Sequence, residues 1–78
     1  MTPEQTRAAR GWLGWHQAKL AEAARVGLST VKDYEAGKRT PIANNLEAIQ
    51  RALEGAGMKF TTNSISGPIG QNGHGNSV

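Results

Sequence analysis

The stretch RVGLSTVKDYEAGKR, residues 25–39, holds the side chains of this sequence best placed to do chemistry. If residues 28–36 are helical, at about 100° per residue Leu28, Lys32, Ala36, Ser29 and Asp33 fall, in that order, within an arc of about 140°. Thr30, Tyr34 and Val31 take the other side, at roughly 200–300°, and Glu35 sits on the boundary. Val31 and Tyr34 then pack inward, while the first set projects outward. A core face would not mix lysine and aspartate with Leu28, and a solvated face has no need of Leu28. The mixture suits the edges of base pairs in a major groove, where small side chains let the helix backbone approach. Lys32 can donate to guanine or to a phosphate, Leu28 can touch a thymine methyl, and Asp33, which phosphates repel, can accept from cytosine N4. An ordinary solvated face carrying two surface charges explains the helix alone about as well, so the neighbouring elements must decide.

Those elements are short helices with clear signals at their ends. Thr2-Pro3-Glu4 starts a helix with an N-cap, a proline at the first helical position and an acid near the positive end. This helix is predicted to run to about Leu13, with Ala9, Trp12 and Leu13 toward the core, and Gly14 stops it. A second helix is predicted from Gln17 to about Ala24, with Leu20, Ala21 and Ala24 on one face. Val26-Gly27 is a turn, and the third helix ends at Gly37, a natural C-cap residue. Pro41 keeps the following segment a loop. A fourth helix is predicted from near Asn44 to about Glu54, with Leu46, Ile49 and Leu53 as its apolar stripe. Met58–Thr62 alternates apolar and polar residues and fits one short strand, which would need an edge to pair with. Between helices two and three, Ala21 is small enough for a helix crossing at roughly 90–120° to approach closely. That is the layout of a helix-turn-helix. Gln17 before the outward face, and Lys38 and Arg39 after it, bracket it with phosphate-binding groups.

The residues LGWHQAKLAEAARVGLSTVKDYEAGKRTP, 13–41, resemble the phage-repressor/Cro-like, or XRE-type, helix-turn-helix family. Leu13, Gly14, Gln17, Leu20, Ala21, Val31, Tyr34, Glu35, Gly37 and Lys38 fit its pattern without a gap, and the likeness extends from about Thr2 to Phe60. The resemblance implies an all-α fold: a lambda-repressor-like bundle of four to five helices that binds double-stranded operator DNA, usually as a homodimer on a two-fold site. Residues matching the base-reading positions are Leu28, Ser29, Lys32 and Asp33. Those matching phosphate-contacting positions are His16, Gln17, Lys38, Arg39 and Thr40. Arg10 and Glu35 match an ion pair that ties helix one to helix three. Two positions depart from the pattern. Arg25 stands where the family usually has glycine, at a cost of roughly 1–2 kcal/mol if it is left-handed. Gly27 stands where serine or threonine commonly caps the recognition helix, and glycine is a weaker cap.

Composition narrows the alternatives. The chain has 78 residues, a net charge of +3, a pI near 9.8 and no cysteine, which favours an anionic partner and excludes disulfides and thiolate metal sites. Residues 1–60 carry every Lys, Arg, Asp and Glu, so residues 1–60 read as the folded DNA-binding domain. Residues 61–78, rich in Gly, Asn and Ser, read as a flexible tail whose burial cannot offset its ordering entropy. No apolar run is long enough to span a bilayer and the N-terminus lacks a secretion segment, so a cytoplasmic protein with no membrane partner is expected. His16 and His74, the two histidines, form no ligand cluster, and no nucleophile set or phosphate-cradling loop is present, so neither a metal, a cofactor nor enzyme activity is expected. Two further readings compete with a sequence-specific regulator. One is a protein-interaction module or antitoxin-like co-regulator whose main partner is another regulatory protein. The other is a non-specific nucleic-acid binder. Dimerisation is expected to use helix four and the Met58–Thr62 strand, the strand pairing with its symmetry mate.

Overall fold

The computed structural model describes residues 1–62 and 64–68. They form four helices and a two-stranded hairpin: α1 (Pro3–Leu13), α2 (Gln17–Ala24), α3 (Leu28–Glu35), α4 (Ala43–Gly55), β1 (Lys59–Phe60) and β2 (Ile65–Ser66). The helix ends follow from local chemistry. Thr2 Oγ1 accepts from the Gln5 N–H at 3.0 Å, while the Thr2 N–H donates to Gln5 Oε1 at 2.9 Å, a reciprocal capping box. At the other end of α1, Gly14 takes the left-handed conformation at φ 71° and returns its N–H to the last turn.

Each helix gives its apolar stripe to one core. Ala9 and Leu13 from α1, Leu20, Ala21 and Ala24 from α2, Val31 from α3, and Ile49 and Leu53 from α4 are buried together with Met58. Helix α2 lies at the centre, against both α3 and α4. Trp12, Trp15 and Val26 pack on the core while remaining partly exposed, and Leu46 is only half-buried. The core therefore holds α2 and α3 at a fixed angle and leaves the outward side of α3 uncovered.

The end of the chain differs from the expectation of a lone strand followed by a flexible tail from residue 61. Strand β1 pairs antiparallel with β2, in the register Lys59 with Ser66 and Phe60 with Ile65. One edge of β1 is thus taken within the chain, where the sequence suggested a symmetry mate. The hairpin is also tied to α1. Gln5 Nε2 donates to the Thr61 and Ser64 carbonyls at 2.6 and 3.1 Å, and Trp12 Nε1 donates to the Pro68 carbonyl at 3.1 Å. A Cβ on Gly67 would lie 2.5 Å from Met58 Sδ and 2.8 Å from Trp12 Nε1, so the chain closes over α1 at a point only glycine fits. Order here comes from backbone carbonyls accepting hydrogen bonds from α1 and from pairing with β1. The aliphatic residue of this stretch, Ile65, packs against the core as well. Residues 69–78, with His74, lie outside the described residues.

Candidate nucleic-acid interface

The turn between α2 and α3 consists of Arg25, Val26 and Gly27. Arg25 closes α2 in the left-handed conformation, φ 59° and ψ 43°, with its N–H and that of Val26 donating to Glu22 and Ala21 carbonyls. It is the one non-glycine residue with positive φ among the described residues. Gly27, at φ −68° and ψ 148°, caps α3 in an ordinary extended conformation, without a side-chain bond. The positive φ that glycine commonly supplies in such a turn is therefore carried by an arginine, and the glycine in the turn does not use its freedom.

The two sides of α3 separate cleanly. Val31, Tyr34 and Glu35 are 0, 4 and 2% exposed. Tyr34 Oη donates to the Met1 carbonyl at 3.1 Å, and burial holds its phenol above the ordinary tyrosine range, a bond with Thr6 working the other way and nearby Glu4 adding to the rise. On the opposite side Leu28, Ser29, Lys32 and Ala36 are exposed and Asp33 is half-buried. Leu28 keeps 40% of its surface in solvent, while Leu20, Val31, Ile49 and Leu53 keep none.

Glu35 sits at the junction of three helices. Arg10 Nε and Nη2 each donate to a carboxylate oxygen at 2.7 Å, a bidentate pair from α1 to α3. Gln17 Nε2, at the start of α2, adds a third donor to Glu35 at 3.0 Å. Arg10 Nη1 also donates to the Trp15 carbonyl at 3.0 Å, and Arg7 Nη1 donates to the Glu35 carbonyl. The boundary position given to Glu35 by helical angle is thus resolved inward, by cations that surround it. The amide of Gln17, expected at a phosphate, is turned toward Glu35 and has one N–H committed there.

Around the outward side of α3 the remaining expected residues, Lys38 apart, gather in two shallow grooves. One is lined by Arg10, His16, Gln17, Ala18, Leu28 and Lys32, between the start of α2 and α3. Here His16 is the N-cap of α2, with its carbonyl accepting from Lys19 and Leu20 and its side chain making no cap bond. The first amides of α2 have no partner within the helix, and the residues that carry them, Gln17 and Ala18, line this groove. The other groove runs from Ser29, Thr30 and Asp33 to Arg39, Thr40, Pro41, Ile42 and Asn45. Gly37, at φ 75°, turns the chain so that exposed Lys38, Arg39 and Thr40 follow α3 on the same side, with the Lys38 N–H held by the Asp33 carbonyl at 2.9 Å.

Three residues of this region were not singled out from the sequence. Arg7 braces the end of α3, and Asn45 and the 70%-exposed Ile42 border the second groove. Pro41 marks the loop they follow, but no local pattern says that α4 begins beside α3.

A helix-turn-helix family model matches residues 7–55, more than half of the chain and all of α2, the turn and α3. The chain belongs to the XRE-type helix-turn-helix family. No curated protein matches it. Members of this family are DNA-binding regulators, and the family is not one of enzymes. In this XRE-type chain the residues of α3 are segregated: the inward ones fasten the helix to its neighbours and the outward ones are left in solvent. Among the described residues no group of His, Cys, Asp or Glu is arranged to hold a metal ion, and no helix is long and apolar enough to cross a membrane.

Proposed function

We propose that this protein regulates transcription in the cytoplasm by binding a two-fold operator as a homodimer, each copy placing α3 in the major groove. Leu28, Ser29, Lys32 and Asp33 read base edges. The α2 N-terminus with His16 and Gln17, and the loop residues Lys38, Arg39 and Thr40, hold phosphates on either side. The observation that carries this reading is the exposure of Leu28, Ser29 and Lys32 on one side of a helix whose buried carboxylate, Glu35, is fully engaged by Arg10 and Gln17. Without those partners a glutamate beside this face would oppose a polyanion. Dimerisation is assigned to α4 with the edge of β1 that faces away from β2, beside a shallow groove formed by Glu54, Gly57, Met58, Lys59 and Phe60.

Selection of bound duplexes from a random-sequence pool at physiological salt tests the proposal. A two-fold consensus with half-sites about one helical turn apart is the expected outcome. Enrichment of nothing would favour the protein-interaction reading, and strong, salt-sensitive binding without a consensus would favour non-specific binding.

A further inference from the structure

We propose that His16 couples DNA binding by this protein to pH, by taking up a proton against an operator phosphate. The inference rests on the reading of α3 as the DNA-bound helix and extends it. Gln17 has one amide hydrogen committed to Glu35 at 3.0 Å. The side chain at the same edge left facing solvent is His16, exposed and making no bond to cap its own helix.

The charges around it have one sign. In the groove it shares, α1 contributes Arg10 and α3 contributes Lys32, while Leu28, Gln17 and Ala18 are neutral. Of the acids on α2 and α3, Glu35 is buried and saturated by Arg10 and Gln17, Asp33 lines the other groove, and exposed Glu22 lies outside the lining of this one. On α2 itself Lys19 is drawn over the Trp15 ring, 5.7 Å from its centroid. The groove therefore offers a protonated imidazole no free carboxylate to pair with, and a phosphate arriving with DNA supplies that anion. An anion in contact favours the charged form of histidine, the side chain whose charge ordinarily changes between pH 5 and 8. Binding then takes up protons, so affinity rises as pH falls and drops as pH rises. On a two-fold site both copies contribute.

The test is the affinity of the full chain for duplex DNA at fixed ionic strength from pH 5.5 to 7.5, using the selected operator or, without one, a random-sequence duplex. The parent protein is compared with His16→Gln and His74→Gln, since His74 is the other histidine in the sequence. The parent and His74→Gln are expected to bind about fivefold more tightly per half-site at the acid end of this range. His16→Gln is expected to flatten that profile, with an unchanged melting temperature. A parent protein with no pH dependence, or a His16→Gln variant that keeps the slope, overturns the inference while leaving the DNA reading intact. Failure of the parent to bind any duplex at any pH overturns both.

Discussion

Two sets of charged residues meet at α3, and they behave in opposite ways. Glu35 is 2% exposed, gripped by Arg10 at two oxygens and by Gln17 at one of them, and its backbone carbonyl takes a bond from Arg7. Lys32, Lys38 and Arg39 are exposed, and Lys32 and Arg39 line the two grooves on the other side. The first set fixes where the helix is, and the second is left in solvent. The difference teaches that charge on this helix cannot be interpreted by residue type. Burial and satisfaction decide whether a charged group belongs to the fold or to the partner.

The largest expected break comes from the buried set. Arg10→Ala leaves the Glu35 carboxylate without its main partner, which for a buried pair costs about 3 kcal/mol or more. In a domain of this size that is a fall of about 15 °C in thermal unfolding. A melting temperature within a few degrees of the parent would mean that water replaces the arginine and that the pair does little for the fold. The exposed set should behave inversely. Lys32→Ala is expected to lose about 1–3 kcal/mol of operator affinity with little change in stability. If Lys32 meets a base, the loss concentrates at one operator position; if it meets only phosphate, affinity drops evenly across sequences. A large loss of stability on Lys32→Ala would break the comparison. The smallest effect belongs to the turn between the sets. Arg25→Gly removes the strain of a left-handed arginine, and unfolding is expected to move upward by about 1 kcal/mol or slightly less, since glycine also frees the unfolded chain. A lower melting temperature would show that Arg25 makes contacts that outweigh its backbone.

The same division explains what could be read from the sequence. Helix ends were legible at Thr2-Pro3, Gly14 and Gly37, because each reports a local backbone requirement. The two sides of α3 were legible because helical periodicity is local too. The contact between Arg10 and Glu35 spans 25 positions and has no periodic signal; only the family resemblance pointed to it. Nothing local could have shown that Gln17 turns toward the same carboxylate, since that depends on how α1, α2 and α3 meet. The hairpin was missed for a different reason. Its order rests in large part on strand pairing and on the Thr61, Ser64 and Pro68 carbonyls, and backbone groups are the same in every sequence. Composition reports side chains, so it reported a tail.

Residue-by-residue amide chemical shifts, followed as a DNA duplex is added to the labelled protein, test the central claim most directly. The account predicts that the shifts cluster on His16–Ala18, Leu28–Asp33 and Lys38–Thr40, leaving β1 and β2 and the outer side of α1 little changed. Shifts centred on the hairpin, or spread evenly with none along α3, would contradict it.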